Sequence, residues 1–156
     1  MSPELEDLYQ QVLLDHSKRP RNFGALTDGA VHVHGDNPSC GDEIDLHVRF
    51  GPARAVEDIK FTGQGCAICM ASASMMTTKL KGRPRAETTA LAEAFHALVT
   101  GQEAAPNHAL GDLQLMEGVR KFPQRVKCAM LAWRAFEQAL NLHESGAPPV
   151  STEAVG

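Results

Sequence analysis

The sequence predicts an α+β fold in which a small three-stranded antiparallel sheet is packed with several helices. Residues 30–35 and 43–50 alternate apolar and polar side chains, as half-buried strands do, and residues 55–62 form a third strand-like run. The short connections, such as the one that holds Gly51 and Pro52, favour adjacent antiparallel strands. Helical patterns lie before and after these runs, so helices should cover one face of the sheet.

The first predicted helix begins at the start of the chain and ends before Pro20. Ser2 and Pro3 suit a helix N-terminus, and acidic residues follow in the first turn, where they complement the helix dipole. Apolar side chains then recur at helical spacing: Leu5, Leu8, Tyr9, Val12 and Leu13.

The strands differ in the regularity of their apolar residues. Those of the second strand share one face: Ile44, Leu46, Val48 and Phe50. Those of the third strand are unevenly spaced: Val56, Ile59 and Phe61. This spacing predicts a register irregularity near Asp58.

The second half of the chain is predicted to be helical. One helix follows Gly63-Gln64-Gly65 and runs to about Leu80, where Gly82 and Pro84 break the pattern. Further helices are predicted over 86–99, 112–120 and 124–143, and Leu113, Met116 and Val119 share one side of the short helix.

Length and composition predict one domain over residues 1–143 and a flexible C-terminal tail over 144–156. The chain has 156 residues, of which 43% are apolar, which is enough for a core. The tail is rich in small residues and proline.

Charge and hydropathy argue against nucleic-acid and membrane partners. The net charge is −4 and no run of Lys and Arg is present, so a nucleic-acid footprint is not expected. No apolar stretch approaches the ~20 residues that a transmembrane helix needs. The acidic start differs from a secretory leader, so we expect a cytoplasmic protein. Thiols stay reduced there, and four cysteines therefore suggest metal binding or catalysis rather than disulfides.

Three cysteines occur at predicted element boundaries. Cys40 and Asp42 lie in a turn between two strands, Cys66 at a helix start, and Cys128 in the first turns of the last helix. Three sulfurs and one carboxylate oxygen would form a four-coordinate site that suits zinc. Taken singly, each cysteine could be an inert buried thiol. Cys69 completes a lone CxxC with Cys66, which could be half a zinc site or a redox motif. It could equally well be packed inside the helix without a chemical role.

The histidines give a weaker signal. His32 and His34 alternate on a strand and would share one face, where a surface position is favoured over a bound metal. The remaining histidines are scattered and lack the spacing of a ligand motif.

Several motifs together resemble the IscU/SufU family, the NifU N-terminal-like proteins of iron–sulfur cluster assembly. The residues that carry the resemblance are Leu8-Tyr9-Gln10-Gln11-Val12-Leu13-Leu14-Asp15-His16, Asn37-Pro38-Ser39-Cys40-Gly41-Asp42, Gly63-Gln64-Gly65-Cys66-Ala67-Ile68 and Arg125-Val126-Lys127-Cys128-Ala129. The resemblance implies an IscU/SufU-like fold and a role beside a cysteine desulfurase and other iron–sulfur assembly proteins. It also implies a ligand set for zinc or, in scaffold members, for a [2Fe–2S] cluster: Cys40, Asp42, Cys66 and Cys128.

Three departures from the scaffold members resemble the SufU branch. Lys127 stands where scaffolds usually have His, their chaperone-recognition segment is absent, and residues 82–112 lengthen the stretch between Cys66 and Cys128. Cys69, where the family commonly has Ser, fits neither branch.

The resulting hypothesis is a zinc-bound acceptor of persulfide sulfur from the desulfurase, possessing sulfurtransferase character. Cys40 is the first candidate acceptor, because a turn moves more freely than a helix, and Arg125 would support the thiolates by charge-assisted hydrogen bonding. Two alternatives stay open. One is a scaffold that assembles and transfers a [2Fe–2S] cluster with the same four residues, which would also accept iron. The other is a structural zinc domain for protein contacts.

Overall fold

A computed structural model describes residues 3–27, 29–102 and 108–145. In these residues a three-stranded antiparallel sheet has the order β1-β2-β3, formed by β1 (Val31–Asn37), β2 (Asp42–Phe50) and β3 (Val56–Gln64). The α+β prediction with a three-stranded sheet is confirmed.

The strands pair with the register that their alternation requires. Val31 faces Val48 at one end of the β1–β2 hairpin, and Asn37 faces Asp42 at the other. The β2–β3 register shifts between Arg49 and Phe50, which faces Val56. One residue of β3 is therefore left over beside Asp58, and this bulge is the irregularity that the spacing predicts.

The helices follow the predicted order with small differences in their bounds. Along the chain they are α1 (Pro3–Lys18), a 3₁₀ turn (Pro52–Arg54), α2 (Ala67–Leu80), α3 (Arg85–Thr100), a 3₁₀ segment (His108–Lys121) and α4 (Pro123–Ser145). Gly101 ends α3 in the left-handed conformation, with φ of 76°, where glycine is favoured because it lacks a Cβ. None of the described helices combines the length and apolarity that crossing a membrane requires.

Three predicted boundaries are wrong. The predicted helix over 112–120 is part of a longer 3₁₀ segment that is interrupted at Gly111. Leu113, Met116 and Val119 are buried and three residues apart, which aligns them on a helix of three residues per turn. Asp42 belongs to β2 rather than to the turn, because it pairs with Asn37 of β1.

The third wrong boundary is the predicted end of the last helix at residue 143. Helix α4 continues through Ser145, so residues 144 and 145 extend it. The rest of the predicted tail, 146–156, lies outside the described residues, as does the predicted cap at Ser2. The division into one domain over 1–143 and a tail stays a prediction.

The core lies between one face of the sheet and the helices. Helix α4 packs on β1 and β2, and α2 packs against α1, α4 and β3. Inside this layer Trp133 stacks on Phe95 with ring centroids 4.7 Å apart and donates from Nε1 to Ser72 Oγ at 3.1 Å. Ser72 Oγ in turn donates to the carbonyl of Ala129 at 2.6 Å. This buried polar link fixes α2 against α4, the two helices whose N-terminal regions carry Cys66 and Cys128.

Candidate metal centre

Two cysteines and an aspartate meet where the β1–β2 hairpin approaches the start of α4. The ligand-type atoms of Cys40, Asp42 and Cys128 all lie within 4.8 Å of one another. Cys40 is half-buried in the hairpin turn, whereas Asp42 and Cys128 are only 1% and 0% exposed. All the described cysteines are free thiols. The structure thus assembles three of the four predicted ligands from separate parts of the sequence.

Asp42 has an unsatisfied oxygen in this cluster. Its side chain lies on the core-facing side of β2, and Oδ1 accepts a hydrogen bond from the backbone N–H of Cys66 at 2.8 Å. Among the described residues, its Oδ2 is the one buried side-chain oxygen or nitrogen without a hydrogen-bond partner. An unpartnered buried carboxylate oxygen is costly. A cation bound beside the two thiols would satisfy it, so the donor set fits a zinc-like ion.

Gly65 allows the backbone to approach this carboxylate closely. A Cβ at Gly65 would lie 2.4 Å from Asp42 Oδ1, nearer than non-bonded atoms approach. Only a glycine therefore leaves room for the carboxylate that bonds the next residue, Cys66. The sequence pattern suggested no role for Gly65, although its place directly before a candidate ligand was the available signal.

Cys66 borders the cluster rather than joining it. It is the N-cap of α2, and its Sγ accepts a hydrogen bond from the backbone N–H of Cys69 at 3.4 Å. It lies outside the set of atoms within 4.8 Å of one another, yet Asp42 binds its backbone. Its role as the fourth ligand stays a prediction.

Cys128 is enclosed by polar neighbours. Asn37 donates from Nδ2 to its Sγ at 3.8 Å, and that Sγ lies 3.8 Å from the carbonyl of Gln124. Burial raises the pKa of the Cys128 thiol, and its contacts with Asp42 and Cys40 raise it further. Asn37 is 4% exposed. Its contact with Cys128 joins residues 91 positions apart, so the local motif does not indicate it.

Arg125 supplies positive charge at the same place. Its hydrogen bond with Cys128, followed by the charges of Cys66 and Cys128 as thiolates, raises the pKa of Arg125. A guanidinium in this position stabilises thiolates. The predicted supporting residue therefore lies beside two of the predicted ligands.

Cys69 lies apart from this chemistry. Its thiol is fully buried in α2, and burial raises its pKa, with the nearby Asp42 adding to the effect. A buried thiol of raised pKa is inert. The CxxC pair therefore does not behave as a unit: Cys66 caps the helix and Cys69 packs in the core.

A cavity opens beside Cys40. It has a volume of about 390 Å³ and is lined by Ser39, Cys40, Pro123, Gln124 and Lys127. Lys127 is exposed at this rim. Of the three clustered residues, Cys40 is the one that a molecule from outside can reach.

Comparison with known proteins gives a consistent result. Residues 8–129 match the family described as the NifU-like N terminal domain. The chain is 47% identical over 137 residues to the iron–sulfur cluster assembly scaffold protein IscU of Streptococcus pyogenes serotype M1, covering 88% of this chain and 85% of that protein. It is 44% identical over 142 residues to the zinc-dependent sulfurtransferase SufU of Bacillus subtilis strain 168, covering 91% and 95%.

A solved structure shares the fold. The SufU of Fervidobacterium islandicum AW-1, described as an iron–sulfur cluster assembly scaffold protein for the SUF system, superposes with a TM-score of 0.79 at 31% identity. The match covers 86% of this chain and 98% of that one.

Proposed function

The chain belongs to the family of NifU-like N-terminal domains, and from this premise we propose that it works in iron–sulfur cluster assembly as a zinc-bound acceptor of persulfide sulfur. The donor would be a cysteine desulfurase, and other iron–sulfur assembly proteins would receive the sulfur. We place this work in the cytoplasm, where thiols are kept reduced.

One observation carries the proposal: the buried Asp42 Oδ2 has no hydrogen-bond partner and lies among thiols. A domain with a complete apolar core does not need such an atom for folding. A cation held there by Cys40, Asp42 and Cys128, together with Cys66, would give this oxygen a partner. Bound zinc would keep the thiols deprotonated at neutral pH, which is the nucleophilic form.

The transfer step needs no external oxidant or reductant. The Cys40 thiolate attacks the outer sulfur of the donor persulfide, a new S–S bond forms, and the donor S–S bond breaks. The desulfurase cysteine leaves as a thiolate, and Cys40 now carries the persulfide. Cys40 fits this role because it borders the open cavity, whereas Cys128 is fully buried. Arg125 stabilises the negative charge of the neighbouring thiolates.

The decisive experiment mixes the zinc-loaded chain with a cysteine desulfurase and cysteine. Mass spectrometry should find a persulfide on Cys40, and desulfurase turnover should rise when the chain is added. Cys40→Ser should lose both effects, and Cys69→Ser is the matched control that should keep them. If no persulfide forms and turnover does not rise, the transfer function is wrong.

A scaffold function is the second candidate, because the relative from Streptococcus pyogenes carries that name. The same four residues would then hold a [2Fe–2S] cluster. Anaerobic reconstitution with iron and sulfide separates the two functions: a stable cluster that passes to an acceptor protein favours the scaffold. A structural zinc domain would instead unfold when zinc is removed and never form a persulfide.

A further inference from the structure

The outer face of the β1–β2 hairpin carries a second group of side chains of the types that can bind a metal ion. These residues alternate with those that face the core. Three cross-strand pairs follow one another along it: His32 with His47, His34 with Asp45, and Asp36 with Glu43. Every member of these pairs is a histidine or a carboxylate.

Three of these side chains converge. The ligand-type atoms of His34, Asp36 and Glu43 lie within 4.8 Å of one another, with His34 and Asp36 half-buried and Glu43 exposed. From this convergence we propose that the outer face of the hairpin binds a divalent first-row transition cation through His34, Asp36 and Glu43. This site is independent of the thiol centre and does not rest on the proposed sulfur transfer.

The charges of the pair nearest the turn favour a cation. Asp36 and Glu43 are direct cross-strand partners, and like charges in this position destabilise a sheet. On the other side of β2, Glu43 and Asp45 pair with Gln64 and Thr62 of β3, which carry no charge. A cation bound between the two carboxylates would make a favourable contact with each of them.

Neighbouring side chains already orient two of the three ligands. Asp45 Oδ1 lies 3.0 Å from His34 Nδ1, and Gln64 Nε2 donates to Glu43 Oε2 at 3.2 Å. A histidine that binds a metal is usually held by such a carboxylate, which fixes its tautomer and ring orientation. Asp45 is thus a positioning residue for the site.

The ligand types define the class of cation. One imidazole and two carboxylates suit borderline ions such as Zn²⁺, Co²⁺ or Fe²⁺, and they do not offer the sulfur donors of the thiol centre. The two sites should therefore differ in spectrum when both hold the same ion.

Cobalt binding tests the site directly. Metal-free chain is titrated with Co²⁺, and bound cobalt is counted by equilibrium dialysis while the absorption spectrum is recorded. The thiol centre should bind cobalt with a thiolate-to-cobalt charge-transfer band, and a further equivalent should bind without that band. His34→Gln and Glu43→Gln should lose the further equivalent, and Asp45→Asn should weaken it roughly 10- to 100-fold.

Two matched variants separate this site from the rest of the outer face and from the thiol centre. His47→Gln changes a histidine of the same face outside the cluster and should keep the further equivalent of cobalt. Cys40→Ser should lose the charge-transfer band of the thiol centre and should also keep the further equivalent. The site is wrong if His34→Gln and Glu43→Gln, folded by circular dichroism, bind as much cobalt as the unaltered chain. It is also wrong if the further equivalent disappears in Cys40→Ser.

Discussion

The two faces of the β1–β2 hairpin present different kinds of side chain from the same strands. Asp42 and Glu43 are adjacent in sequence, yet successive side chains of a strand point to opposite faces. Asp42 meets Cys40 and Cys128 on the covered face, and Glu43 meets His34 and Asp36 on the outer face. Helix α4 covers only the first of these, and it contributes the buried thiol. The two thiols of the covered face come from outside the strands, Cys40 from the hairpin turn and Cys128 from α4, whereas the strands supply imidazoles and carboxylates.

The largest contrast should come from Asp42→Asn. The amide keeps an acceptor for the N–H of Cys66 but removes the buried charge. Without metal the variant should be as stable as the unaltered chain or more stable, because an unpaired buried charge is costly. With zinc at 1,000 times its dissociation constant the unaltered chain should gain about 4 kcal/mol. The variant should gain far less, as measured by urea unfolding with and without zinc.

Asp45→Asn is the matched control on the outer face. It removes a carboxylate from the same strand, three residues away, without touching the thiol cluster. Its stabilisation by zinc at the thiol centre should stay close to that of the unaltered chain. Equal losses in Asp42→Asn and Asp45→Asn would mean that the two faces do not hold separate sites.

A smaller effect should follow from Gly65→Ala. The new Cβ would overlap Asp42 Oδ1, so the carboxylate must move away from the cluster. Overpacking of this kind costs about 1–3 kcal/mol, and zinc content after purification should fall with it. Thermal unfolding and metal analysis measure both effects.

Gly51→Ala is the control for the backbone change. There the Cβ would lie 3.1 Å from the end of the Glu57 side chain, which can swing aside. Zinc content should not change in this variant. Full zinc content in Gly65→Ala would show that Asp42 is not held by this close approach.

Most of the fold could be predicted because it rests on local periodicity. Alternation along β2 and the uneven apolar spacing of β3 reproduce the strands and the bulge beside Asp58. The 3₁₀ segment over His108–Lys121 could not be assigned, because a spacing of three residues is compatible with both helix types in a short stretch. Helix ends such as Ser145 depend on packing rather than on local pattern.

The site could be predicted less completely. Element boundaries indicated Cys40, Asp42 and Cys128, whose atoms the structure brings together. The contact from Asn37 to Cys128 joins residues far apart in sequence, so no local pattern reports it. The outer-face cluster was missed for a related reason: the pairing of Asp36 with Glu43 depends on the register of the hairpin.

Acid should lower the free energy of unfolding modestly, and His47 on the outer face should contribute to this loss. Burial of the ring lowers the pKa of His47, and the charge of His32 lowers it further, against opposing effects of Asp45 and the Leu26 backbone. Below about pH 6.5 His47 therefore binds a proton more readily in the unfolded chain than in the folded chain. The His47 contribution to the free energy of unfolding should fall as the pH falls through this range and should be constant above it.

Urea unfolding with a chelator present, between about pH 7 and pH 5, measures this slope. His47→Gln should make it shallower. Burial also lowers the pKa of His16, so part of the slope should remain in His47→Gln. An unchanged slope in that variant would remove His47 from the acid response.

The smallest effect should come from Lys127→Gln, in α4 at the cavity beside Cys40. Lys127 is exposed at the cavity beside Cys40, so its loss should change stability by less than about 0.5 kcal/mol and leave zinc content unchanged. A persulfide is anionic, and an exposed cation near the acceptor should mainly speed its approach. Persulfide formation on Cys40 should therefore slow several-fold at low salt, and the difference should shrink as salt is added. Glu43→Gln, on the outer face of the β1–β2 hairpin, should leave this rate unchanged. Equal slowing in both variants would show that the rate does not depend on a charge beside Cys40.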